Sequence, residues 1–541
     1  MQESSMSMTR RRAMQSGAAL AALPRFAIAQ GDTRPSVTVA VQKIATSATL
    51  EPLREQSNVG QRILYSFGET MIDIDWTGSL APKPGLATAW RRIDERTVEL
   101  KLREGVRFHN GETMTAEDVA FTFGNERMWS GTNADSRGLF VSTTQGAGSR
   151  QPPPEAPAIA KAAYPGFEKI EIVDRNTVRF VNRTPDVTLE ARLTRNTGII
   201  FSQKGFAESA SWMDWARRPV GTGPYRIRQY RPDQDLVLDA HEEYWGGRPP
   251  LKSIRFVEVP DVSARVNGLL AGDFDFACDL PPDQIPIVEK SERHQVRGGP
   301  IANIRLSVWD KFNPALADAR VRRALTHAVD RQGIVDGLWH GRTAVPRGLQ
   351  WEFFGEMFLA DWEAPQYDPA LARQLLKEAG YRGEEIRYQL LNNYYTNQVP
   401  TSQVLVEGWR QVGLNVVIEM KENWGQILGR FPERGICDNS NSAWFADPVA
   451  SVSAVGPGGQ TWEAGQWRND EAATMLTALQ GATDVQLRRK AFRRLLEIVE
   501  REDPGYTVLH QNATFTGTRR AYGWKAAHSF VMDFGPGNWS A

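Results

Sequence analysis

Cysteine is nearly absent: the 541-residue chain holds two, Cys278 and Cys437. Two thiols so far apart give no disulfide framework and no thiolate ligand set for zinc, and both are expected to be free and inert. Net charge is absent too, since 64 basic side chains balance 64 acidic ones. No basic excess is left to draw nucleic acid or an anionic membrane as partner. No uninterrupted apolar run reaches the roughly 20 residues needed to cross a bilayer. The seven histidines (His109, His241, His294, His327, His340, His510 and His528) fall in no H-E-x-x-H or comparable ligand spacing. A G-x-S-x-G elbow and a Walker loop are missing. Acidic residues are plentiful, but a catalytic pair among them is not visible in sequence. The chain thus carries no positive sign of an enzyme, and no cofactor or metal is implied.

What is present is ordinary globular composition, 41% hydrophobic and 24% charged, at a length that suggests more than one lobe. Seventeen tryptophans are many; they suit a core, or a cleft that stacks on ligands. At the N-terminus, Thr9-Arg10-Arg11-Arg12 precedes a mildly apolar run over 17–23 and a small-x-small site, Ala27-Ile28-Ala29. That order reads as an export signal of the twin-arginine type over 1–29, with Sec export the other route. No cysteine stands at the cleavage site to carry a lipid, so a soluble mature protein is expected from about Gln30 onward.

The stretch 84–123 has the clearest local grammar. Thr97-Val98-Glu99-Leu100-Lys101-Leu102 alternates as a half-buried strand does. Arg103-Glu104-Gly105 turns the chain, Val106-Arg107-Phe108 resumes the alternation, and Asn110-Gly111 turns it again. Thr115, with Asp118 three residues on, opens a helix in a near capping box. Its wording, GLA-x-x-W, LREGV-x-FHNGE and TAEDVAF, resembles the signature of the bacterial extracellular solute-binding proteins of family 5, the dipeptide-, oligopeptide- and nickel-type receptors of ABC importers.

Later segments resemble the family as well: Leu50-Glu51-Pro52, the turn Gly221-Thr222-Gly223-Pro224-Tyr225, and Asp318-Ala319-Arg320-Val321-Arg322-Arg323-Ala324-Leu325. The glycines at 221 and 223 lack the lysine of a phosphate loop and read as a tight turn. Arg320, Arg322 and Arg323 read as a solvated, ion-paired helix face. Residues 131–165, rich in Gly, Ser, Ala and Pro, read as a surface excursion. Helices are expected over 60–67, 400–412 and 484–500, and strand-helix-strand alternation from 386 to 420 predicts a parallel or mixed sheet.

The resemblance implies an α/β fold of the two-lobed periplasmic-binding-protein type (type II, large, with an extra side domain) and a ligand cleft between the lobes. The expected division is a signal over 1–29; lobe I from 30–75, 195–300 and 508–541; a side domain over 76–194; and lobe II over 301–507. It also implies a periplasmic receptor, monomeric, that closes on a small-molecule ligand and delivers it to an inner-membrane ABC permease. A peptide-like ligand is the default; an opine, a sugar or a nickel chelate stays open. A secreted hydrolase, and a chaperone or signalling receptor, are the readings from other classes.

Three places are candidates for the cleft. In Trp444-Phe445-Ala446-Asp447-Pro448, the resemblance puts Trp444 where dipeptide-type members hold the ligand's α-amine with an aspartate. Asp447 either replaces that charge or caps a turn. In Trp309-Asp310, Trp309 is a stacking wall or a buried hinge residue, and Asp310 a cation ligand. The loop Asn392-Asn393-Tyr394-Tyr395-Thr396-Asn397 offers Tyr394 and Tyr395 as pocket walls, with Trp424 beside them.

Overall fold

The computed structural model describes residues 32–129, 149–392, 394–429 and 432–540. The signal-like segment 1–29, Asn393 and the 131–148 part of the Gly- and Pro-rich stretch lie outside the described residues. In the leading unit, residues 1–34, Arg34 pairs with Asp32 at 2.7 Å. Everything below concerns the unit 35–541.

Its strands are β1 (Ser36–Val41), β2 (Ile72–Ile74), β3 (Pro82–Pro84), β4 (Ala87–Asp94), β5 (Thr97–Leu102), β6 (Phe167–Asp174), β7 (Thr177–Asn182), β8 (Tyr225–Arg231), β9 (Asp235–Ala240), β10 (Ser253–Glu258), β11 (Phe276–Ala277), β12 (His294–Trp309), β13 (Ile386–Leu391), β14 (Val416–Lys421), β15 (Ile436–Ser442) and β16 (Tyr506–Arg519). Ten of them form one sheet in the order β14-β13-β15-β12-β16-β11-β1-β10-β9-β8. The long antiparallel pair β12 and β16 lies at its middle, and everything else hangs to one side or the other. β11, β1, β10, β9 and β8 lie on one side of that pair; β15, β13 and β14 lie on the other. The crossover from β13 to β14 is parallel and runs through the helix Gln398–Gln411, as the strand-helix-strand alternation requires.

The side domain is a four-stranded sheet, β4-β5-β7-β6. Leu100 and Leu102 of β5 are buried, as are Val106 and Phe108 beyond it. The expected second strand there is only a single bridge, Arg107 to Thr113. Gly105 and Gly111, at φ of 74° and 86°, turn the chain too soon for a ladder. The helix α2 (Ala116–Thr122) then starts where Asp118 accepts from the Thr115 N–H at 3.0 Å.

Other expectations fare variously. Asp261, Asp318, Asp368 and Asp484 each cap a helix start. The late helix is regular only over Val485–Leu496 and widens to a π turn over Glu497–Glu502. Part of the expected surface excursion is the helix Glu155–Ala163, because Ala156, Ala160 and Ala163 form a buried small-residue stripe. Arg322 is not on a solvated face. It is 1% exposed, donates to the Leu316, Ala317 and Pro504 carbonyls, and pairs with Asp503. Gly221 and Gly223 pass so close to the Phe67 backbone that a Cβ would meet it at 2.2 and 2.6 Å, which is why this turn needs glycine. Cys278 and Cys437 are free and buried, and burial pushes their thiols up to about 11 and about 12. No described helix is long and apolar enough to cross a membrane.

Candidate functional site: a pocket between the two halves of the sheet

The register of β12 against β16 is irregular between Pro300 and Leu306. The break frees the backbone of 301–303 for other partners. Ala302 N–H donates to the His528 carbonyl at 2.8 Å, and its carbonyl accepts from Ala443 N–H at 3.0 Å. Ile301, Ala302 and Asn303 thereby become the floor of a narrow pocket. Gln61, Ile74 and Trp76 wall it on one side; Phe353 and the loop 442–446 wall it on the other; Ser529 and Phe530 come from the C-terminal tail. Aromatic and aliphatic groups dominate, and none of the described lining residues is charged.

Beside the floor lies a polar frame. Asn303 Nδ2 donates to Ser440 Oγ at 3.1 Å and to Ser442 Oγ at 2.8 Å, and its Oδ1 accepts from Asn512. The fully buried Arg305 and Asp438 meet at 2.5 Å. Gln398 Nε2 and Tyr388 Oη also donate to Asp438, at 2.6 and 3.2 Å. The Arg305 guanidinium lies 3.6 Å over the Tyr395 ring, whose hydroxyl donates to Ser440 at 3.1 Å. A charge pair this dry is held by its hydrogen bonds, and it fixes Tyr395 and Ser440 rather than offering itself to solvent.

The two halves also touch directly. Tyr394 Oη accepts from the Asn58 N–H at 2.9 Å, and Asn58 Nδ2 donates to Ser440 Oγ at 3.1 Å. Asn58 begins the helix α1 (Asn58–Phe67), whose cap Ser57 serves Gly60 N. The first N–H of a helix has no partner inside it, and here the other lobe supplies one. Trp424 packs edge-on against Tyr394 at 5.0 Å and Tyr395 at 6.4 Å, behind the frame.

Of the sequence candidates, Trp444 and Phe445 line the pocket, and Tyr394 and Tyr395 belong to the frame. Trp309 and Asp310 stand elsewhere. Trp309 is fully buried in the lobe II core, edge-on to Trp409 at 6.2 Å. It is a packed residue, not a stacking wall, because β12 has already left the cleft by its last turn of register. Asp310 is buried against Arg434 at 2.7 Å and so is not a cation ligand. Arg434 in turn donates to the Leu428, Gly429 and Gly465 carbonyls, closing lobe II loops. Burial raises the Asp310 carboxyl, against the pull of Arg434. Asp447 caps the helix Pro448–Val452 through Val449 N–H and pairs with Arg488 at 2.7 Å. Its charge is used there, which decides between its two expected roles in favour of the cap. Gln61, Trp76, Asn303, Phe353 and Phe530 were not legible as site residues; the excess of tryptophan was the one hint.

A ten-stranded sheet bridged by two crossover strands, with a pocket walled from both halves, defines a two-lobed binding protein. The pattern of the bacterial extracellular solute-binding proteins, family 5, matches residues 81–462. The chain belongs to that family, whose members are binding proteins of transport systems. It is 26% identical to heme-binding protein A of Haemophilus influenzae, over 80% of each chain. It is 25% identical to the oligopeptide-binding protein AppA of Bacillus subtilis, over 83% of this chain and 81% of that one. Its fold matches a dipeptide-binding protein from a Pseudoalteromonas species, solved with Met-Leu, at a TM-score of 0.77 and 22% identity, over 90% of this chain and 96% of that one.

Proposed function

We propose that the chain captures a small solute between its lobes and delivers it to an inner-membrane ABC permease, with a peptide-like solute as the default. One observation carries this reading: the pocket takes its walls from both lobes, so a ligand touching both favours the closed state. The relatives point the same way, since AppA is named for oligopeptides. No bond is made or broken in this cycle. The protein acts in the periplasm as a soluble monomer, exported by the 1–29 segment. The lobe division is that expected from sequence: 30–75, 195–300 and 508–541 for lobe I, 76–194 for the side domain and 301–507 for lobe II. The sheet order supports it. Within the site, Trp444 and Phe445 contact ligand, and Tyr394, Tyr395 and Trp424 hold the closing face.

A non-peptide ligand is the second reading, and a specific observation favours it. The resemblance puts Trp444 where dipeptide-type members hold the amine with an aspartate, and among the described residues no acidic side chain lines the pocket to take its place. The test is native mass spectrometry of protein from the periplasm, then thermal-shift titration. A ligand at 100 times its Kd raises stability by about 2.7 kcal/mol. Capture is refuted if nothing is retained and no peptide, opine, sugar or metal chelate moves the melting point.

A further inference from the structure

Behind the contact between the halves sits a carboxylate that the pocket does not use. Glu55 is fully buried, and among the described residues no cation pairs with it. A charge buried without an opposite charge is expensive unless hydrogen bonds surround it, and here they do. Its Oε2 accepts from the Thr46 N–H at 2.7 Å, the Ser47 N–H at 2.9 Å and the Ser47 hydroxyl at 2.9 Å. Its Oε1 accepts from the Ser57 N–H at 3.1 Å, from the Ser57 hydroxyl, and from the Thr46 hydroxyl at 3.4 Å. The carboxylate therefore ties the loop after β1 to the cap of α1, where a helix start favours negative charge. Ser57 Oγ accepts in turn from the Gly60 N–H at 3.0 Å. Gly60 leaves the carboxylate its room: a Cβ there would lie 2.3 Å from Glu55 Cγ and 2.4 Å from Oε1. The two residues after the cap are the ones that cross to the other half. Asn58 donates to Tyr394 Oη and to Ser440 Oγ. Val59 is 2% exposed and packs in the apolar cluster of Tyr394, Tyr395 and Phe445. Glu55 itself does not line the pocket.

We propose that Glu55 is a positioning residue for lobe closure: its carboxylate fixes the start of α1 so that Asn58 and Val59 meet Tyr394 and Ser440 of the opposite half. The inference rests on the solute-capture reading and names a group, outside the pocket, that sets how readily the pocket closes. Glu55 acts through the cap and not on the solute. An amide cannot replace it. Glu55→Gln keeps the shape but brings one acceptor oxygen to two sets of donors. Its NH2 end then faces N–H groups, either on the 46–47 loop or at the cap, and the start of α1 is released.

The test reads closure directly, in the full chain and without added solute. Lys252, beside β10, and Lys377, on the helix before β13, are exposed. Spin labels on Lys252→Cys and Lys377→Cys report the distance between the halves by pulsed dipolar spectroscopy, and the buried Cys278 and Cys437 stay unlabelled. The quantity measured is the ratio of molecules at the separation seen in the structure to molecules further apart. Glu55→Gln is expected to lower that ratio about 5- to 30-fold, the factor for one lost buried hydrogen bond. The double variant with Tyr394→Phe should fall no further than the lower of the two single variants, because both changes break the same contact. Ser57→Ala, which cuts the link at the cap, should shift the ratio in the same direction. Melting points show which variants fold, and Ser57→Ala decides if Glu55→Gln does not. An unchanged ratio, losses that multiply in the double variant, or a wild-type chain with no molecules at the separation of the structure overturns the inference. Solute capture is judged apart from it: if wild type retains no molecule and no peptide, opine, sugar or metal chelate moves its melting point, capture fails while the distance result stands.

Discussion

Removing one oxygen atom, in Tyr394→Phe, isolates the energy of closure. In the structure the Tyr394 hydroxyl accepts from Asn58 N–H at 2.9 Å, across the interface between the halves. When the lobes part, water meets both groups. The phenylalanine ring keeps its edge-on contacts with Trp424 at 5.0 Å and Tyr395 at 4.7 Å, so folding of either lobe is untouched. With the lobes placed as in the structure, however, the half-buried Asn58 N–H loses that acceptor. That raises the closed state by about 1–2 kcal/mol, a factor of about 5–30 in the closure equilibrium. A ligand held only by the closed form loses affinity by the same factor. Calorimetry with the retained ligand, paired with small-angle scattering of the free and bound protein, reads both quantities. Expected are a weaker Kd by that factor, a radius of gyration for the free protein at or above wild type, and an unchanged denaturation midpoint without ligand. A Kd within twofold of wild type would refute the argument, because the hydroxyl would then carry no closure energy. Equal losses of affinity and unliganded stability would refute it differently, by placing Tyr394 in the fold instead of the hinge cycle.

Trp309→Ala should destabilise by about 3–5 kcal/mol through the cavity it leaves against Trp409, while ligand affinity of the folded fraction holds; a selective loss of affinity would return Trp309 to the site. Arg305→Met strands Asp438 and should cost about 3–5 kcal/mol. Because the stranded carboxyl gains by taking a proton, the gap from wild type should narrow as pH falls, and chemical denaturation at pH 5 and pH 8 reads this. His109 and His510 are each drawn by burial from 6.5 to about 3. Folded pKa values below the unfolded ones mean that the unfolded chain binds more protons between these limits. The stability they contribute is present above pH 6.5 and lost as pH falls toward 3. Each should add about 1.4 kcal/mol per pH unit to the slope within that window, and His109→Gln should remove one such share whatever its absolute stability.

Residue order made several elements readable because their causes are local. The caps at Asp318, Asp368 and Asp484 act within three residues, and the alternation of Thr97–Leu102 within six. The family was legible for the same reason, since its wording lies in continuous stretches. Trp444 and Phe445 were found because they sit in such a stretch. Trp309 stayed open between a stacking wall and a buried residue, because a tryptophan at the end of a strand reads alike whether its ring faces a cleft or a core; the packing against Trp409 decides for the core. The ion pairs of Asp310 and Asp447 were not legible in sequence, because Arg434 and Arg488 lie 124 and 41 residues away.

What sequence determined by itself is the kind of machine: two lobes, crossover strands, a side domain, and no catalytic apparatus announced by motif. What tertiary structure alone decided is the pocket. Its walls come from Gln61, Trp76, Asn303, Phe353, Trp444 and Phe530, residues scattered along the chain from position 61 to 530 that no periodicity links. Charge balance belongs there too. The chain as a whole is neutral, yet among the described residues no carboxylate pairs with Arg195, beside Trp444. Secondary structure follows from near neighbours along the chain; a ligand site follows from which far neighbours the sheet brings together, and from which of their charges it leaves unpaired.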